Sequence, residues 1–358
     1  MSPLLPRRRR SLLVVASVFA IVLALLGVYQ FGVKRLPPTD PAALDELDTR
    51  MFVALQTQYD AFARTPEALW DADYRYDREP LLLVRKDADG ALAWPYVYLV
   101  NMSSLIDTSR FARMEFAEDS TLSDVRVATD VDLQILTAWT PGTFDTLEYA
   151  GRGVLAFTYS PAQFDDDSDP LLQFATFSMH EAFHVNVQPT WRQDIDGGAR
   201  VWDPPTGAQL RALFGQEFAA LDAVTTATDD AQRRDIAARI VEERRAQVES
   251  VPALSARAAL ETIEGSARYL ERRYSDVSGG RIGVLTNKRG ETSSFGAVLD
   301  WATSADGDPG IFEHTIWYET GAQLAFLLDH LAPDWKARVA DGRTTMFDVL
   351  VDAVDAHG

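Results

Sequence analysis

Apolar and polar positions divide the chain into an apolar leading segment, a stretch with strand periodicity and a long helical remainder. Ser11 to Gly32 runs 22 residues without a charge, long enough as a helix to cross a bilayer. Leu36 to Asp40 is a short linker, Pro41 suits a capped helix start, and Leu44, Leu47, Met51, Leu55 and Tyr59 recur at helical spacing to about Arg64. From Glu79 the period shortens. Pro80 to Lys86 and Trp94 to Asn101 are β-rich runs around the turn sequence Asp87 to Gly90, which together predict a hairpin. Ala112 to Ala117 and Asp124 to Thr129 predict further short strands, and Thr137 to Tyr149 has little pattern, with Pro141-Gly142 marking a loop. Arg152 to Tyr159 is a strong strand, which as an edge would offer backbone groups to an extended peptide.

Beyond Tyr159 the pattern is mainly helical. Leu171 to Pro189 carries apolar residues on nearly every side and reads as a fully buried helix, after an acidic loop at Phe164 to Pro170 that lacks the ligand spacing of an EF-hand. Leu210, Leu213, Phe214, Phe218 and Leu221 form a stripe with Glu217 among them. Asp229 to Ser250 has only a narrow apolar face, so its arginines are expected on a solvated surface. The expected class is α+β: a membrane helix at 11–32 after a tail at 1–10, an α+β region at 33–150 with a small antiparallel sheet layer, and a mainly helical region at 151–358.

Composition sharpens this picture in three ways. The chain has 358 residues, 47% of them hydrophobic, which suffices for a packed core. Its net charge is −19, and the first 35 residues contribute +6 of that, leaving −25 for the rest; a domain this acidic repels phosphate backbones, so nucleic acid is excluded as a partner. Four arginines before the apolar segment against Lys34 and Arg35 after it predict a single-pass protein with a cytoplasmic N-terminus and an extracytoplasmic body, periplasmic in a bacterium. The chain contains no cysteine, so any metal must be held by histidine and carboxylate.

Chemistry concentrates in the buried helix. Two of the five histidines, His180 and His184, flank Glu181 in an HExxH pattern. At i and i+4 they face the same way, and two imidazoles on an apolar helix are costly unless hydrogen-bonded, paired or bound to a metal. Zinc satisfies that need, with Glu181 leaning over the open position where water sits. A third ligand is required, and Val185 to Trp191 holds no further histidine. Ser255 to Tyr274 predicts another helix with Leu260, Ile263, Ala267, Leu270 and Tyr274 as its core stripe. Glu264 and Glu271 flank that stripe, while Glu261 falls on the far side and is expected in solvent. Gly265 costs about 1 kcal/mol relative to alanine in a helix, which implies close approach of another backbone and favours Glu264 as the ligand.

HEAFH followed by Glu264-Gly265-Ser266-Ala267-Arg268-Tyr269-Leu270-Glu271 resembles the HExxH plus EGxAxYxE pairing of gluzincin-type metallopeptidases. The resemblance covers about Leu171 to Tyr274 and implies a zincin-like catalytic region, with His180, His184 and Glu264 as ligands of one zinc ion and Glu181 as catalytic base. Arg268 stands where the thermolysin-like version has an aspartate that orients a histidine. Ile311 to Leu331 is a further apolar helix, and its Tyr318 is the candidate for stabilising an oxyanion, with Gly321 permitting close packing. The expected function is hydrolysis of a peptide or protein substrate by a membrane-anchored zinc peptidase. Two other readings fit the same motif: a non-catalytic tethered protein with structural zinc, and hydrolysis of another bond such as an ester.

Overall fold

Asp45 accepts the amide hydrogen of Asp48 and so starts helix α1, Glu46–Arg64; at Pro41 there is only a single 3-10 turn, Pro41–Ala43. The structure is a computed structural model that describes residues 17–25, 36–86, 92–129, 144–165, 167–191 and 200–356. Strands β1 (Leu81–Lys86), β2 (Leu92–Val100), β3 (Ala112–Arg113), β4 (Val125–Thr129), β5 (Phe144–Tyr149) and β6 (Arg152–Tyr159) form one six-stranded sheet in the order β3-β4-β2-β1-β6-β5. Neighbours pair antiparallel except β1 and β6, which run parallel with Leu81 opposite Leu155. The sheet is therefore mixed, which corrects the expected antiparallel layer.

The reason lies in the side chains. Leu81 to Val84 and Val154 to Phe157 are unbroken apolar runs, and such strands need cover on both faces and take central positions. Leu81, Leu83, Leu155 and Phe157 face the helices, while Leu82, Val84, Val154 and Ala156 meet Met102 and Phe111 on the opposite face. β6 is thus one strand in from the edge. The edge belongs to β5, a strand in a stretch that reads as unpatterned, with exposed and half-buried residues in alternation. Asp48 fastens α1 to the sheet: its buried carboxylate accepts hydrogen bonds from the hydroxyls of Tyr96, Tyr98 and Tyr159, each at 2.7 Å.

The principal helices beyond the sheet are α2 (Phe174–Asn186), α3 (Ala208–Val224), α4 (Asp230–Ser250), α5 (Ser266–Ser278), α6 (Phe295–Ala302), α7 (Ile316–Leu331) and α8 (Met346–Asp355). Phe174 and Phe177 of α2 pack edge-on against Phe157 of β6, with ring centroids 5.8 and 5.6 Å apart. One apolar cluster runs from Met51 to Leu350 through both halves of the chain, and the division drawn at residue 150 falls in the turn between β5 and β6.

The run leading into α5 is not one continuous helix. A 3-10 turn (Pro252–Ala256) and an α turn (Arg257–Leu260) precede a π turn, Glu261–Gly265, whose extra residue rotates the chain beyond it by about 100°. Glu261 is consequently buried rather than solvated. Arg244 of α4, also expected in solvent, is buried too and forms a bidentate pair with Glu261 at 2.6 and 2.8 Å. Its Nε donates to Glu217 at 2.7 Å, and Arg257 reaches the same carboxylate at 3.1 Å. Two carboxylates and two guanidinium groups thus balance inside the helical core.

The membrane expectation also requires correction. Among the described residues no helix is long and apolar enough to cross a membrane. Of the span at 11–32, residues 17–25 are helical and the others lie outside the described residues. The tail at 1–10 lies outside the described residues. This finding overturns the single-pass anchor and the cytoplasmic-to-extracytoplasmic topology derived from it.

Candidate metal centre

α2 sets His180 and His184 one turn apart, with ring centroids 4.8 Å from each other and planes at 76°. Both Nε2 atoms turn to one oxygen of Glu264, at 3.1 Å from His180 and 3.3 Å from His184. One ligand atom from each of the three residues lies within 4.8 Å of the others. Each Nδ1 is engaged elsewhere: that of His180 lies 2.5 Å from Glu271 Oε1, and that of His184 lies 2.6 Å from Gln188 Oε1. The Gln188 amide is oriented by donating to the Ile263 carbonyl at 2.8 Å and the Ser266 hydroxyl at 2.9 Å. Its oxygen can only accept, so His184 carries a proton on Nδ1 and its Nε2 is available to Glu264 or to a shared cation.

This donor set fits a metal. Two ligand atoms each 2.0–2.1 Å from one ion at tetrahedral angles stand about 3.3 Å apart, which the two Glu264 contacts match. Two nitrogens and a carboxylate oxygen without sulfur, each imidazole fixed by a second partner, is an arrangement that zinc accepts.

Glu264 reaches the site because it sits in the π turn, and Gly265 allows that turn to lie on α7. A Cβ at Gly265 would come within 2.5 Å of Gly321 Cα, and one at Gly321 within 2.5 Å of the Glu261 carbonyl oxygen. Both glycines singled out in the sequence therefore meet at one crossing. The crossing brings Tyr318 over the site, its ring stacked on that of His180 at 6.0 Å and 15°. The Tyr318 hydroxyl hydrogen-bonds to Glu264, and burial together with that carboxylate pushes its pKa well above the ordinary phenol value. Glu181 is outside the three-residue group. It lines the same cleft of about 480 Å³ with His180, His184, Glu264 and Tyr318. Burial raises its pKa, with His180 and His184 opposing.

Charge is tightly matched here. Burial lowers the pKa of His180, but the charge of Glu271 and the hydrogen bonds to Glu264 and Glu271 raise it to about 10. Burial acts to raise that of Glu264, yet the hydrogen bonds from both histidines hold it well below the ordinary carboxylate range.

Sequence reasoning assigns Glu271 no role, although seven residues separate it from Glu264 and so keep both on one face of a helix. It is the carboxylate that orients His180. Arg268, at the position of the absent aspartate, supports it instead: its guanidinium pairs with Glu271 and lies 3.2 Å from Glu319. Gln188 carries a readable signal too, standing four residues after His184. Comparison of the chain with protein-family models, with curated proteins and with solved structures gives no match.

Proposed function

We propose that the chain is a gluzincin-type zinc peptidase that holds one zinc ion with His180, His184 and Glu264 and cleaves peptide bonds with Glu181 as general base. The observation that carries this reading is the convergence of two imidazole Nε2 atoms on one carboxylate oxygen while both Nδ1 atoms are already held. When bound, zinc supplies Lewis acidity, bringing the pKa of water towards about 7 and polarising the scissile carbonyl. Glu181 takes the proton from the attacking water and later returns it to the leaving amine; its raised pKa suits it to the second task as well as the first. Tyr318 donates a hydrogen bond to the carbonyl oxygen as negative charge develops there, and its raised pKa keeps that proton in place.

An extended peptide suits the surroundings. Phe144 of β5 lines the cleft, and among the described residues β5 has one edge without a strand neighbour, so a substrate strand can add to it by main-chain hydrogen bonds. The test is metal analysis with an unbiased peptide-cleavage profile on the purified chain. Glu181→Gln is expected to keep stoichiometric zinc and lose about 10²- to 10⁴-fold in turnover. Unchanged turnover in a zinc-loaded variant removes the base assignment, and a wild-type chain that takes up no metal removes the whole reading.

A further inference from the structure

Arg272 follows Glu271 on α5 but serves a different place. It is 8% exposed, and among the described residues no carboxylate lies within ion-pair distance of its guanidinium. Its hydrogen-bond partner is Gln323, whose Oε1 accepts from Nη1 at 3.0 Å and whose own Nε2 donates to the Leu221 carbonyl at 3.1 Å. The Phe326 ring lies beneath the guanidinium, 4.4 Å from its carbon. The head group is thus fixed from two sides while most of its donors stay unused. Burial lowers its pKa despite the longer-range charges of Glu319 and Asp276, and Glu319 is itself held by Arg268 and by the Leu285 amide. A buried cation in this condition lacks a counter-charge at ion-pair distance among the described residues.

Arg272 lines a cavity of about 300 Å³ between α3, α4, α5 and α7, together with Arg233 and His330. Arg233 spends part of its fork on Asp230, at 2.9 Å, and on the Ala227 carbonyl, at 3.1 Å. No acidic residue lines this cavity, in a chain with 53 acidic residues against 34 lysines and arginines. Its remaining wall is largely apolar, with Val224, Phe326 and Leu327. Three basic heads around one space match a dianion that offers three acceptor oxygens, and an apolar wall beside them matches an organic substituent. We propose that this cavity is a binding site for a phosphate monoester, the phosphate held by Arg272, Arg233 and His330 and the organic group laid along Val224, Phe326 and Leu327.

Isothermal titration of the full chain in chloride buffer at constant ionic strength tests this with two probes, inorganic phosphate and phenyl phosphate. Both are expected to bind saturably, phenyl phosphate the more tightly, and Arg272→Met is expected to weaken both by about tenfold or more. Phosphate also approaches metal sites, so the titration is repeated on His184→Ala, in which binding at this cavity persists. Absence of binding to the wild-type chain, or binding lost in His184→Ala and kept in Arg272→Met, overturns the site. Equal affinity for the two probes overturns the monoester assignment. If Arg272→Met does not fold, the less buried pair Arg233→Gln with His330→Gln serves in its place, and unchanged affinity in that variant overturns the proposal.

Discussion

His180 stands between two carboxylates, and that position makes the proton a competitor of the metal. With its pKa raised to about 10 by Glu271 and Glu264 against the effect of burial, the metal-free chain carries an imidazolium there at neutral pH. A metal needs the neutral ring. Zinc uptake at pH 8 is therefore expected to release at least one proton, read from titration calorimetry in buffers of different ionisation enthalpy; uptake without proton release contradicts the charge state. The same shift fixes a sign for stability. A histidine whose folded pKa lies above its unfolded value of about 6.5 stabilises fully below that value and loses the contribution as pH rises through about 10. The melting temperature of the metal-free chain should accordingly fall between pH 7 and 10, more steeply than that of the zinc-loaded chain.

Glu271 should be felt through the metal rather than through the fold. Glu271→Gln keeps His180, His184 and Glu264 but removes the charge that orients His180, and on the proposed function zinc affinity is expected to drop about 10- to 100-fold in competition with a chelator. An unchanged affinity would leave Glu271 with no part in the site. The three residues that meet at the candidate site are legible in advance because HExxH and the Glu264-Gly265 pair are local patterns. Glu271, Gln188 and Arg268 escape such a reading because each matters through a partner on another element or another turn.

At the scale of elements, the crossing of the π turn over α7 decides where Glu264 sits. Gly265→Ala inserts a Cβ into backbone that cannot yield as a side-chain tip can, and is expected to cost about 1–3 kcal/mol together with zinc affinity. Gly215→Ala on α3 is the control: nothing lies within 4 Å of its added Cβ, and helix propensity favours alanine by about 1 kcal/mol. Thermal denaturation of the two variants checks this, and equal melting temperatures would dismiss the crossing as a constraint. The glycine signal is legible because a helix carries glycine only for a reason. The phase of Glu261 is not, because a wheel drawn at 3.6 residues per turn does not foresee a π turn. β6 departs from expectation for another reason: its unbroken apolar run already marks a strand covered on both faces, and the edge lies instead on the less apolar β5.

For the whole molecule, the buried quartet of Glu217, Arg244, Arg257 and Glu261 ties α3 and α4 to the turns ahead of α5. Arg244→Met leaves Glu261 without its bidentate partner and is expected to cost about 3–5 kcal/mol in chemical denaturation. A loss below about 1 kcal/mol would mean that the carboxylates find protons or other partners. The α+β class is visible from the change of period near Glu79 and the helical remainder. The mixed sheet is not, because no local pattern states that β6 returns beside β1.

The pairing of β1 with β6 has a kinetic meaning. Seventy-odd residues separate Leu81 from Leu155, so closing that pair restricts a long loop before its contacts compensate, and such non-local closures are slow steps in folding. α2 is the next long helix after β6, beyond the 3-10 turn Pro161–Phe164, and carries both imidazoles. On the proposed function, a nascent chain would take up zinc late, after the sheet has closed, and partly folded forms would not yet cleave the proteins around them.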